Sequence, residues 1–254
     1  MKSIAVVNQK GGVGKSTTAA ALAGGLCLCG RRVLAVDLDA QGNLSHTMRA
    51  QPRPGKSILE VLLGTLPAAE AVQATAMGDL LPASKGLSGA DAFLSETGKE
   101  YRLREALEGL SGAYDYCIID SPPALGIATV NALTGADMAI VPAQADIYSL
   151  QGVEQLAATV ETVRRYCNPG LKVDGILLTR YSPRSVLSRE VRELMGQLAH
   201  RLGTRVYQSA IREAIAVKEA QISRENLFTY APGSNVAKDY QAFLQEALGI
   251  SWEG

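Results

Sequence analysis

The chain has 254 residues, 47% of them hydrophobic, and its 25 Lys and Arg are matched by 25 Asp and Glu. That length suits one α/β domain over 1–254, and a neutral balance excludes a polycationic nucleic-acid coat, so any such surface must be local. No apolar run spans a bilayer, since residues 19–36 are interrupted by Arg31 and Arg32, and no signal-peptide layout opens the chain; a cytoplasmic protein is expected.

In chain order, Ile4-Ala5-Val6-Val7 reads as a buried strand within 3–7. Lys10-Gly11-Gly12-Val13-Gly14-Lys15-Ser16-Thr17 follows at once, and Thr17 to Leu28 is an Ala/Leu-rich, proline-free helical stretch inside 15–29. Strand, Gly-Lys-Ser loop and helix form a P-loop: backbone N–H groups and the helix dipole face phosphate, Lys15 reaches it, and the Ser16 hydroxyl suits Mg²⁺. The first glycine of the general pattern is Gln9 here, and a second lysine, Lys10, stands inside the loop.

Further strands are predicted at 33–37, 79–82, 115–119, 138–142, 173–179, 206–211 and 227–230. Further helices are predicted at 57–63, 99–110, 126–134, 150–166, 186–201 and 236–247. Residues 51–57 and 83–98 read as surface loops. Continuous apolar strands such as Cys117-Ile118-Ile119, alternating with helices, imply a doubly wound, mostly parallel sheet of about seven to eight strands covered on both faces. Cys27, Cys29, Cys117 and Cys167 include no C-x-x-C pair, and reduced thiols are expected.

In open α/β sheets ligands gather at the carboxyl ends of strands. Three ends carry suitable chemistry. Beside the P-loop stand Val36-Asp37-Leu38-Asp39, whose two carboxylates share one side of an extended chain, and Ile118-Ile119-Asp120, an apolar strand ending in the acid that steadies a Mg²⁺ shell.

Together KGGVGKST, VDLDAQGN and IIDSPP resemble the ParA/Soj branch of the deviant Walker A ATPases, and the likeness continues through Asn131-Ala132-Leu133, Val141-Pro142-Ala143-Gln144 and Tyr148-Ser149-Leu150-Gln151-Gly152. The small form without an N-terminal helix-turn-helix domain is the match. The resemblance implies an ATPase that closes into an ATP-sandwich homodimer, binds DNA nonspecifically and is stimulated by a ParB-like partner, with nucleoid association. Lys10 is implied as the signature lysine acting across the dimer, Lys15 as the in-cis phosphate lysine, and Asp39 as the residue that positions water. Gly11, Gly12, Val13, Gly14, Ser16 and Thr17 would cradle the nucleotide, with Ser16, Asp37 and Asp120 around Mg²⁺. Pro122-Pro123 falls in the γ-phosphate switch.

Two departures stand out. Ala40 replaces the proline of Asp-Pro-Gln-Gly. Arg212, Glu213 and Ala214 occupy the Pro-Arg-Asn places that pack on adenine, and Ala216 occupies that of a DNA-contacting arginine, which leaves Arg212 and Glu213 as altered base contacts and Lys218 as a substitute for DNA.

Between Arg180 and Arg224 nine basic residues face four acids. Arg189 and Arg192, three apart on a helix, share one face; they read either as a DNA surface or as a solvated face with intrahelical Glu–Arg pairs. A membrane-surface ATPase like MinD and a cargo-positioning or regulatory ATPase are the competing functions. The tail from Tyr240 to Gly254 is acidic and has no Lys or Arg, which speaks against lipid binding.

Overall fold

Alternate residues of the central strands enter two different cores, which is how runs with no polar positions become a sheet. The computed structural model describes residues 1–252; Glu253 and Gly254 of the acidic tail lie outside the described residues. Its strands are β1 Lys2–Val6, β2 Val33–Asp37, β3 Gln73–Thr75, β4 Gly78–Leu81, β5 Tyr116–Asp120, β6 Met138–Gln144, β7 Lys172–Thr179 and β8 Val206–Ile211. They form one eight-stranded sheet in the order β3-β4-β2-β5-β1-β6-β7-β8. Every pairing is parallel except β3 with β4.

The helices are α1 Lys15–Leu28, α2 Asn43–Thr47, α3 Ile58–Leu62, α4 Ala68–Ala71, α5 Ala90–Phe93, α6 Arg102–Glu108, α7 Ile127–Thr134, α8 Ile147–Tyr166, α9 Val186–Arg201, α10 Ile215–Ser223, α11 Leu227–Tyr230 and α12 Asn235–Leu248. Ala5, Val36, Ile119 and Val141 pack with α3, α6, α7, α8 and α9 on one face. Ile4, Val6, Ile118 and Ile140 pack with α1, α11 and α12 on the other. Buried on both sides, such strands read as uninterrupted apolar runs, as parallel sheets do.

The stretch 83–98, read as a surface loop, instead holds α5 and buries Leu87, Ala90 and Leu94 in the core, and the short helices α2 and α4 are additional. Three further differences from the sequence reading have local causes. The stretch 227–230 is helix α11, not a strand: Asn226 caps it, its side chain accepting from Phe228 N–H. Four residues, Leu-Phe-Thr-Tyr, are too few to show a period by which helix and strand could be told apart. Strand β3 is additional; it turns back onto β4 where Thr75 Oγ1 donates to the Gly78 carbonyl at 2.6 Å, and Gly78 takes φ 99°, open to a residue without Cβ. Helix α10 is additional too, in the segment whose motif departs from the family's.

β1 lies between β5 and β6, while β2 lies beyond β5. The chain therefore reverses its direction of winding beside β1, and the switch point opens at the carboxyl end of that strand. In the register, Asp120 of β5 sits level with Val6 of β1 on one side and Asp37 of β2 on the other.

Candidate functional site

The loop after β1 is shaped by two left-handed glycines, Gly12 at φ 74° and Gly14 at φ 90°. Gly14 is also the N-cap of α1. That helix has no side-chain cap and no acid in its first turn, so its terminal N–H groups remain available to an anion. The loop is pinned from neighbouring strands: Gln144 Nε2 donates to the Gly12 carbonyl at 2.9 Å, and Thr179 Oγ1 donates to the Val13 carbonyl at 2.9 Å.

Beneath it lies a cavity of about 530 Å³, large enough for a nucleotide, lined by Gly11 to Thr17, Asp39, Gln41, Asn43, His46, Pro123, Arg180 and residues 211–214 among others. Lys15 is buried and its Nζ donates to the Lys10 carbonyl at 3.2 Å. Burial lowers its pKa, and Asp120 and Asp39 oppose that shift by favouring the charged form.

The three acids differ in their surroundings. Asp37 is fully buried and already committed: Oδ2 accepts from Ser45 N–H and Ser45 Oγ at 2.7 Å each, and Oδ1 accepts from Asp39 N–H at 3.1 Å. It orders the β2–α2 turn, so the part foreseen for it beside the metal would be an indirect one. Burial raises its pKa to about 6, against those hydrogen bonds. Asp39 lines the cavity and accepts from Gln41 N–H at 3.0 Å. Asp120 is buried with neither carboxylate oxygen hydrogen-bonded. Burial first, then Asp37, pushes its pKa well above the ordinary range, while the nearby Ser16 hydroxyl and Lys15 ammonium oppose.

A buried carboxylate without a partner is costly unless something completes it. A hydrated Mg²⁺ fits that need, since it takes one or two carboxylates, phosphate oxygens and water rather than an all-protein cage. Among the described residues no group of three or more His, Cys, Asp or Glu is arranged to hold a metal by itself.

Lys10 does not point freely outward. Its Nζ donates to Asp146 Oδ2 at 2.6 Å and stands 3.5 Å from Ser149 Oγ. Asp146 is the N-cap of α8, its side chain accepting from Ser149 N–H. Against the opposing push of burial, Lys10 and Ser149 hold the Asp146 carboxyl below its ordinary pKa.

At the other end of the cavity the altered segment is held down. Arg212 grips Asp239 through Nε at 2.7 Å and Nη2 at 2.8 Å, and Glu213 Oε1 lies 3.5 Å from Lys218 Nζ. Lys218 thus lines the nucleotide cavity. Sequence reasoning had set it aside for DNA. It also overlooked Thr179, Arg180 and Gln221 in the cavity wall. Gln221 Nε2 donates to Thr17 Oγ1 at 3.0 Å, a link between α10 and α1 that no motif announces.

Of the basic pair on α9, Arg189 is exposed, and its Nη1 donates to the Pro183 carbonyl. Arg192 is drawn inward: its Nη2 donates to the carbonyls of Tyr207 and Gln208, and its guanidinium lies 5.5 Å from the Tyr181 ring centroid. The intrahelical Glu–Arg pairs considered for this face are not formed among the described residues. Among the described residues none of the four cysteines is in a disulfide.

The chain that builds this site is similar to known proteins over most of its length. A family model described as an AAA domain matches residues 1–173. The chromosome partitioning protein ParA of Caulobacter vibrioides is 41% identical over 228 residues, covering 87% of this chain and 84% of the relative. The chain belongs to the ParA/Soj family. The sporulation initiation inhibitor protein Soj of Bacillus subtilis is 36% identical to this ParA/Soj chain over 249 residues, covering 96% of it and 97% of Soj. A crystal structure described as cobyrinic acid a,c-diamide synthase from Mycobacterium smegmatis, with bound ATP analog and magnesium, superposes with a TM-score of 0.84. It is 37% identical and covers 98% of this chain and 96% of its own. Among the described residues no helix is long and apolar enough to cross a membrane.

Proposed function

We propose that this ParA/Soj chain is a partition ATPase, a single domain over residues 1–254 that binds ATP with Mg²⁺, closes into a homodimer, holds DNA nonspecifically and hydrolyses ATP when a ParB-like partner engages it. The observation that carries the reading is that Lys15 and Asp39 line one cavity beneath an uncapped helix N-terminus, with the buried, unpartnered Asp120 at the adjoining end of β5.

In this reading the N–H groups from Gly11 to Thr17 bind the phosphate chain, and Lys15 neutralises its terminal end. Ser16 and Asp120 hold the magnesium shell, with Asp37 fixing the adjoining turn; the metal supplies charge neutralisation on the phosphates. Asp39 orients the attacking water. Lys10 leaves Asp146 and reaches the partner subunit's phosphates, as an arginine finger does in trans. The loop mouth supports a second copy: Ile147 and Tyr148, beside Asp146, are 60% and 74% exposed, and apolar groups so placed suit an interface. DNA binding rests on exposed Arg184 and Arg189 rather than on Arg192. The setting is the cytoplasm, on the nucleoid.

The test is ATP turnover by purified protein, alone and with nonspecific duplex DNA plus its cognate DNA-binding partner, alongside ATP-dependent gel shift. Slow basal turnover, accelerated only by the pair, is expected. Turnover that instead requires a carboxylic-acid substrate would favour an amide-forming activity of the kind named for the mycobacterial structure and sink the partition reading.

A further inference from the structure

The family's base-packing motif is altered at residues 212–214, and the side chain that opens it is held to a neighbour: Arg212 Nε and Nη2 donate to the Asp239 carboxylate. Arg180, one residue beyond β7, stands differently. It is exposed, lines the nucleotide cavity, and its guanidinium has no hydrogen-bond or ion-pair partner among the described residues. Its backbone is left-handed at φ 48°, a conformation that a residue with a Cβ adopts at a cost.

The conformation is imposed from both sides. Thr179 Oγ1 is tied to the Val13 carbonyl of the phosphate loop, and Tyr181 N–H donates to the Ile211 carbonyl at the end of β8 at 3.0 Å. Arg180 is therefore pinned between the phosphate wall and the 211–214 wall of one cavity. The phosphate end already has its cation, Lys15, and its N–H groups. What the 211–214 end lacks is a flat surface: of the aromatic rings that line the cavity, Tyr240 is buried with its hydroxyl 3.2 Å from Thr18 Oγ1, and His46 is engaged at both ring nitrogens by Arg224. A guanidinium is planar, weakly hydrated and stacks on aromatic faces.

We propose that Arg180 stacks on the purine base of the bound nucleotide, taking over the packing that the altered 212–214 segment no longer gives. This rests on the nucleotide-binding reading above.

The clean variant is Arg180→Gly, because glycine keeps the left-handed backbone and removes only the side chain. Calorimetric titration in Mg²⁺ should give a folded variant, by circular dichroism melting, whose affinity for ATP and ADP is about tenfold weaker. Its affinity for tripolyphosphate, measured by competition, should be unchanged. Arg180→Lys, which keeps the charge and loses the plane, should show the same loss. Unchanged ATP affinity in Arg180→Gly, equal losses for ATP and tripolyphosphate, or full rescue by Arg180→Lys would each overturn the stacking role. If the wild-type protein binds no ATP, the nucleotide reading itself fails and this inference with it.

Discussion

Lys10 and Asp146 form an ion pair of 2.6 Å within one chain, with 29% and 31% of their side chains exposed. The lysine assigned to the partner subunit's phosphates is thus held at home by the residue that caps α8. Half-exposed pairs of this kind are worth about 1 kcal/mol or less. The pair is therefore weak enough for a second nucleotide-loaded subunit to open. Asp146→Asn keeps the N-cap oxygen and removes the charge. It should let the dimer form at up to about fivefold lower ATP concentration, read by analytical ultracentrifugation. Lys10→Ala should bind ATP normally and remain monomeric.

The same pair sets a pH window. Asp146 is held below the usual carboxylate range, so its stabilisation is complete above its unfolded value, about 3.9, and is lost as pH falls through the lower folded one. The stability difference between wild type and Asp146→Asn should be constant from pH 6 to 8, begin to fall as pH approaches about 3.9, and vanish only below the lower folded value. Urea melts at several pH values check this. A difference that changes between pH 6 and 8 would contradict it.

Asp120 predicts opposite effects on stability and binding. Its buried carboxylate is unpartnered, so Asp120→Asn should raise the nucleotide-free melting temperature by about 2–4 °C, corresponding to about 1 kcal/mol in a chain of this size. The extra stabilisation that Mg²⁺ adds to ATP should be largely lost in the variant, as it is for wild type in EDTA. Differential scanning fluorimetry measures both.

Lys15→Ala should abolish nucleotide-dependent thermal stabilisation. Asp39→Ala should retain it yet slow turnover by about 100-fold or more, within the range for removing a positioned acid–base group, and accumulate an ATP-bound dimer. Wild-type turnover in Asp39→Ala would remove that residue from the reaction.

Arg189→Ala and Arg184→Ala should weaken DNA binding alike across sequences and lower the salt slope by about one each. Arg192→Ala should instead destabilise the β8 edge, since Arg192 serves the carbonyls of Tyr207 and Gln208. Melting curves beside gel shifts at graded salt separate the two effects.

Where the chain's local signal was strong, sequence and structure agree. The sheet's central strands and α1 were legible because apolar runs of the right length flank a loop whose glycines and lysines have few other uses. Leu227 to Tyr230 was misread because four residues rich in strand-favouring aromatic and β-branched types are too few to carry a period, and β3 and α10 went unseen because one is three residues long and the other has a mixed face. In the site, the loop and the three acids could be named from spacing. That Asp37 is saturated by Ser45 while Asp120 is not could not, because Ser45 lies eight residues further along.

The sequence by itself determined the phosphate loop, the strand-end acids and the doubly wound class, since these are contiguous motifs whose backbone demands fix their surroundings. Only the tertiary structure decided that Lys10 is latched by Asp146, 136 residues away, that Arg212 is paired with Asp239, and that the Arg180 guanidinium has no such partner over the cavity among the described residues. The physical reason is common to all of them. A cation's role depends on which acid or carbonyl reaches it first, and that is settled by strand order and helix packing.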